Sequence, residues 1–280
     1  MALEGIKLFD IENVKKIRLK GYTWEVLLLN KRCLYEEICN LLFSEENLFY
    51  YVTQKESTKT LSETRDYVRK LISLGIIDKK INDVFKVIGW ESEKLNINNT
   101  RFQGDLAEYL MCILVDMLTS IDTIISKTSL KTSPGMPSFG NDNIFYDYEK
   151  DILYFGEAKF YSDIDDALKE AVKSLSKHEG DMEISFISSH TASIIGKDGQ
   201  RRGKLVEQME TRSNGSFSTK KIIFIANDDI YLKKDYEEAI IKKFGNVEKL
   251  IADGILLAVL PILSKNEFLE YFKERLKNDA

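Results

Sequence analysis

Two apolar runs with a short polar break between them constrain this chain more than any other feature. They are Ile144–Tyr148 and Ile152–Lys159, inside the stretch SFGNDNIFYDYEKDILYFGEAK from Ser138 to Lys159. Both are rich in Ile, Phe and Tyr, side chains that suit the pleated surface of a strand. The break at Glu149–Lys150 is polar and short, so the stretch predicts a β-hairpin. Pairing centred on that break sets Asp142 opposite Glu157. Opposed side chains on one face have Cβ atoms about 4.5–5.5 Å apart. Two carboxylates so placed repel by roughly 3–4 kcal/mol at an effective dielectric of about 20. A divalent cation would turn that repulsion into a binding site. Lys159, two residues beyond Glu157, points to the same side. A loop of odd length would take Asp142 off that face and leave Asp147 as the next carboxylate to consider.

The second run is apolar on both sides. Phe155 lies on the side of Glu157 and Lys159, while Ile152, Tyr154, Ala158 and Phe160 lie on the other. A strand apolar on both faces is central and buried. Charged pairs on strands ordinarily face water, but charges at the end of a buried strand need a partner or a function.

The chain has 280 residues, 44% of them hydrophobic and 11% aromatic, enough for a sizeable core. Its 40 basic and 45 acidic residues leave a net charge of −5, which excludes a surface coated in positive charge. Contacts with nucleic acid would need local basic patches, metal ions or a partner. The cysteines, Cys33, Cys39 and Cys112, form no CxxC pair, which points to a reducing compartment and away from structural zinc. With no signal-peptide apolar core and no apolar run near membrane-spanning length, the expected location is cytoplasmic. His178 and His190 lack HExxH spacing, and there is no GxSxG elbow, Walker A loop or GxGxxG. Serine hydrolases, zinc proteases and nucleotide hydrolases are disfavoured accordingly.

Residues 1–96 read as a separate α+β unit, with a strand at Tyr22–Leu29 and helices at Lys31–Phe43 and Leu61–Leu74. The polar stretch Glu93–Thr100 is the expected boundary. A helix follows from Thr100 to Leu118, capped by Asn99 or Thr100 and apolar almost all round from Leu106 to Val115, hence buried. Glu108 interrupts that apolar surface, either at a rim or serving a site. Thr123–Leu130 reads as a strand and Thr132–Phe139 as a loop. Asp163, Asp165 and Asp166 open a helix on which Lys169, Lys173 and Lys177 make one basic stripe. Such a stripe is ordinarily a solvated face; beside a metal site it would also grip a phosphate backbone. SIIGKDG, Ser193–Gly199, looks like the GxxG turn of KH RNA-binding domains, and with Arg201, Arg202 and Lys204 its Lys197 makes a basic segment. Lys221–Ala226 and Gly254–Ile262 read as buried strands, and Tyr236–Phe244 and Glu267–Lys277 as helices. Strands alternating with helices from residue 100 onward predict an α/β sandwich around a mixed sheet.

Asp142 followed by Glu157-x-Lys159 resembles the PD-(D/E)xK nuclease signature, with Asn141 where the signature has Pro. The order of motifs resembles one family within it. The helix GDLAEYLMCILVDML (Gly104–Leu118), the loop-borne Asp142, the strand GEAK (Gly156–Lys159) and the late apolar strand ending Leu260-Pro261-Ile262 are similar to HamA, the nuclease subunit of Hachiman anti-phage systems. The resemblance covers about residues 98–280. It implies a PD-(D/E)xK restriction-endonuclease-like core, a mixed sheet flanked by helices, over 97–280, with residues 1–96 left to regulation and partner binding. It implies a DNA nuclease working with a separately encoded helicase, HamB, that holds it in check. By the same resemblance Mg²⁺, or Mn²⁺ in its place, is held by Asp142, Glu157 and the backbone carbonyl of Ala158, and Glu108 joins them through water or a second ion. Lys159 then orients the attacking water. The expected DNA contacts are Lys169, Lys173, Lys177, Lys197, Arg201 and Arg202. The alternatives are a catalytically silent nuclease fold that grips DNA or a partner protein, and an RNA-binding protein using the GKDG loop.

Overall fold

The core is one sheet in strand order β1-β2-β7-β6-β5-β4-β3, seen in a computed structural model that describes residues 11–19, 22–29, 35–44, 47, 51, 95–127, 142–175, 194–195, 199–211, 217–228 and 254–278. The strands are β1 (Ile11–Leu19), β2 (Tyr22–Leu29), β3 (Asp122–Ser126), β4 (Asn143–Asp147), β5 (Ile152–Phe160), β6 (Ser218–Asp228) and β7 (Ile255–Ile262). The helices are α1 (Tyr35–Leu42), α2 (Thr100–Leu118), α3 (Ile164–Leu175), α4 (Gly199–Thr211) and α5 (Lys265–Asn278). The predicted helices Leu61–Leu74 and Tyr236–Phe244 and the loop Thr132–Phe139 lie outside the described residues.

β3, β4 and β5 form an antiparallel meander; β6 runs parallel to β5, and β7 parallel to β6. The sheet is therefore mixed and flanked by helices on both faces. β7 is buried along its whole length and β5 everywhere except at Lys159, as two-sided apolar strands require. On one face α1, α2 and α5 pack on Phe145, Tyr154, Phe224 and Ala258. On the other, α3 covers Ile223, Ile225 and Leu257, and α4 covers Ile144, Leu153 and Phe155.

The hairpin has the pairing that the sequence predicts, from Asn143 opposite Gly156 to Asp147 opposite Ile152. The turn is wider than a two-residue loop. It spans Tyr148–Asp151, with Asp151 in the left-handed region at φ 56°. The Asp147 carboxylate holds it, accepting from the amides of Glu149 at 3.0 Å and Lys150 at 3.1 Å and from Lys150 Nζ at 2.8 Å. Four residues, like two, are an even number, so the faces are preserved. Asp147 is consumed by the turn and is no substitute for Asp142.

α2 begins where the Asn99 side chain accepts from the Arg101 amide at 2.9 Å. Its far end is tied to β3 by Asp116, which accepts from the Thr123 amide at 2.6 Å and the Thr123 hydroxyl at 2.7 Å.

The expected separate N-terminal unit does not extend to its described strands and first helix, which join the main sheet and core. β2 pairs in parallel with β7, from Trp24 opposite Ile255 to Leu28 opposite Val259, and β1 extends the same sheet. α1 packs into the main core: the buried Tyr109 hydroxyl donates to the Leu42 carbonyl at 3.1 Å, and Tyr35 donates to the Ser264 carbonyl at 3.1 Å. The reason is that β7 is apolar on both faces and needs a neighbour on each edge; β6 supplies one and β2 the other.

Candidate functional site

Asp142 sits one residue before β4, buried to 6% exposure, where the strand would begin to leave the sheet. Its amide donates to the Gly156 carbonyl at 3.0 Å, so the pairing with β5 continues through it. Its Oδ2 accepts from the Ala158 amide at 2.8 Å. Asn143 and Phe145 face α2, while Ile144 and Tyr146 face the α4 side. By alternation Asp142 faces the α4 side, the side of Phe155 and Glu157. The expected juxtaposition of Asp142 and Glu157 is thus present. The Ala158 carbonyl points to the same edge of β5 as its amide, the edge on which Asp142 lies.

Glu157 is buried and ion-paired through Oε1 with Lys159 Nζ, two residues on along the same face. Burial and the neighbouring Asp142 charge push its carboxyl up to about 7, against the opposing pull of Lys159 and of Ser174 on α3. Burial would lower the Lys159 pKa, but the Glu157 and Asp142 charges outweigh it, and the ammonium is held above its ordinary range.

Glu108 reaches the site from the other layer, from the middle of α2. The link is Lys127, the residue after β3. Lys127 Nζ lies 2.8 Å from Asp142 Oδ1 and 3.6 Å from Glu108 Oε1. Asn143 holds this junction together. Its Nδ2 donates to the Glu108 carbonyl at 2.9 Å, and its Oδ1 accepts from the Lys127 amide at 3.3 Å. Three elements, α2, the end of β3 and the start of β4, meet at this one buried amide.

Lys127, Asn143 and Ser174 escaped sequence reasoning. The signal for Lys127 lay in the strand boundary. With Ser126 opposite Asn143 in the β3–β4 ladder, the next pair outward is Lys127 and Asp142. That requires β3 to end at Ser126, four residues short of the end predicted from the sequence.

The basic residues are more dispersed. Lys169 and Lys173 are exposed on α3, with Lys173 3.4 Å from Glu170. Arg201 stacks over the Tyr148 ring at 5.8 Å, and Arg202 Nε donates to the Ile194 carbonyl at 2.6 Å. Lys177, Lys197, His178 and His190 lie outside the described residues. Ile194 and Ile195, from the KH-like segment, are buried, and the Ile195 amide donates to the Ile124 carbonyl of β3 at 2.7 Å. That Ile pair serves the core and the outer side of β3.

A family model for HamA matches residues 7–276. The chain belongs to the HamA family. The HamA-family assignment makes the chain a component of Hachiman anti-phage defence. The match includes β1 and β2 as well as the later motifs, in keeping with the single sheet they build. No curated protein matches this HamA-family chain. Among its described residues no helix is long and apolar enough to cross a membrane.

The donors here are of the hard, oxygen-bearing kind that suits Mg²⁺ or Mn²⁺: two carboxylates on one buried face, a third nearby and a backbone carbonyl. Among the described residues no three acidic, His or Cys side chains converge as a ready ligand set. Ammonium groups of Lys127 and Lys159 stand against the carboxylate oxygens. A lysine ammonium is itself a cation stand-in, so its positions mark where positive charge is favoured. These donor types are ones a divalent cation would accept; Asp142, Glu157 and the Ala158 carbonyl would hold it, with Glu108 at the margin.

Proposed function

We propose that this HamA-family chain is a metal-dependent deoxyribonuclease with a PD-(D/E)xK core, the effector of its defence system, restrained by a HamB-type helicase. The observation that carries the reading is the Asp142–Glu157–Lys159 constellation at one end of the central strands, its two carboxylates buried. Two carboxylates and a lysine on the face of an otherwise apolar strand need a partner or a function. A bound Mg²⁺ would supply an acidified water and draw charge from the scissile phosphate.

The chain's own residues have separable parts. Asp142 and Glu157 orient the phosphate group by holding its counter-charge on one side. The Ala158 amide fixes Asp142 through Oδ2, so that carboxylate cannot turn away. Lys159 Nζ, anchored on Glu157, is the donor that positions the attacking water and stabilises charge building on phosphate oxygens. Hydrolysis proceeds in one step without a covalent intermediate. Lys169 and Lys173 on α3, beside Ser174, would steer the DNA backbone. We place the helicase contact on residues 1–96. Their strand β1 is the sheet edge farthest from β3, so a partner held there leaves the carboxylates clear.

A second reading is a silent nuclease fold that only binds. It is favoured by the two lysines that satisfy the site's own carboxylates. One experiment separates the two. Plasmid cleavage by wild type and Lys159→Ala is measured with Mg²⁺ and with EDTA, alongside thermal melts. The nuclease reading expects Mg²⁺-dependent cleavage that disappears in a folded Lys159→Ala. Cleavage near the wild-type rate by that variant, or no cleavage by wild type, sinks it.

A further inference from the structure

Asp142 has two carboxylate oxygens, and they are not equivalent. Oδ2 accepts from the Ala158 amide at 2.8 Å, a donor fixed in the centre of the sheet. Oδ2 keeps a second lone pair, but Oδ1 accepts no backbone bond among the described residues and is the oxygen a metal ion would take first. Lys127 Nζ is 2.8 Å from it. A divalent cation and an ammonium cannot both take that position, since each needs close contact with the same oxygen and they repel one another.

Lys127 is also a built feature, not a surface side chain that happened to fall there. Its side chain is only 16% exposed. Its backbone amide is fixed on Asn143 Oδ1, and the same Asn143 side chain holds the backbone of Glu108, the second acid within reach of the ammonium. One buried residue thus sets the placement of the lysine and of Glu108, while the Ala158 amide fixes Asp142 beside it.

We infer that Lys127 is a removable counter-cation: it neutralises the Asp142–Glu108 pair in the resting chain, and a divalent metal ion must displace it to load the site. This inference rests on the nuclease reading and extends it with a control on metal loading. Displacement lowers the metal affinity of the free chain, because the ion pair must be broken first. Removing the ammonium should have the opposite effect on two measurable quantities. Without metal, Lys127→Met leaves Asp142 and Glu108 with less compensation, so the melting temperature should fall. With metal, the competitor is gone, so binding should tighten by at least about fivefold, the low end of ordinary coupling between two ligands.

The test uses the full chain without DNA. Mn²⁺ binding is titrated by the loss of the free-ion electron paramagnetic resonance signal for wild type, Lys127→Met and Asp142→Asn. In parallel, wild type is reductively methylated with and without saturating Mg²⁺. Methylation at Lys127 is read by peptide mass spectrometry against exposed Lys169. Displacement predicts tighter Mn²⁺ binding in Lys127→Met and a several-fold rise in Lys127 methylation when Mg²⁺ is present. The labelling arm needs no variant, so it decides the matter even if Lys127→Met does not fold. If metal binding depends on Asp142 but Lys127 labelling does not respond to Mg²⁺, or a folded Lys127→Met binds Mn²⁺ no tighter, this inference alone is overturned. If Asp142→Asn binds metal like wild type, the nuclease reading itself falls, and the inference with it.

Discussion

Gly156→Ala adds one methyl group at the point where β4 and β5 meet beneath the site. A Cβ there would lie 2.4 Å from Met111 Cε, 2.8 Å from Phe145 Cε2 and 3.1 Å from the Asn143 carbonyl. The Met111 end has torsions with which to retreat. Phe145 is fully buried and has none to spare. Carbon atoms sit comfortably at about 3.5–4.0 Å, so the ring must move by roughly 0.7 Å or the strands must part. Overpacking of this kind costs about 1–3 kcal/mol. For a chain of this size that is a fall of about 2–12 °C in melting temperature. The damage should also reach the site, because Gly156 pairs with Asn143 and its carbonyl receives the Asp142 amide. Strands pushed apart there move Asp142 away from Ala158 and Glu157. Thermal melts with and without Mg²⁺ measure both effects, and the Mg²⁺-induced shift should shrink along with the stability. Gly104→Ala is the control. Its Cβ meets nothing within 4 Å, and an alanine in α2 should stabilise by about 0.5–1 kcal/mol. A Gly156→Ala protein that melts at or above wild type would refute the packing argument. A lower melting temperature with the full Mg²⁺ shift retained would refute the link between packing and site.

Glu157 should make stability pH-dependent. Its folded carboxyl titrates near about 7 against an ordinary 4.5, so the folded state holds the extra proton between those values. The contribution is complete below about 4.5 and is lost as pH rises through about 7, with a slope of up to about 1.4 kcal/mol per pH unit. Denaturant midpoints of Glu157→Gln relative to wild type should therefore rise from pH 5 to pH 8, and a pH-independent difference would contradict the assignment. In the metal titration Asp142→Asn should abolish most of the Mg²⁺-induced melting shift and Glu108→Gln less of it, since the Glu108 carboxylate stands at the margin of the site, 3.6 Å from Lys127 Nζ; equal losses would move Glu108 into the ligand set. A fragment of residues 97–280 should be insoluble or molten, because it strips β2 from β7 and removes the Leu42 partner of Tyr109. A soluble monomer with a cooperative melt would show that the N-terminal strands are dispensable.

What the sequence determined is local. The Ile- and Phe-rich runs on either side of Glu149–Lys150 define two strands, and a short connection forces them to pair with each other, so the face shared by Asp142 and Glu157 followed from alternation alone. The all-round apolar stretch of α2 and its Asn99 cap announced a buried helix, because burial and capping depend on neighbours within a turn or two. The resemblance to HamA was legible from the same stretches. What tertiary structure decided depends on residues far apart in the chain. Nothing near Trp24 announces that β2 will lie beside Ile255, since a parallel neighbour is chosen by which buried edge remains open and not by a turn. For that reason the N-terminal strands read as a separate unit and proved to be part of the sheet. Lys127 shows the same limit at the site. As one lysine among the 40 basic residues it carries no distinguishing pattern. Its meaning arises only when the end of β3, the middle of α2 and the start of β4 converge on Asn143, and two carboxylates find one ammonium between them.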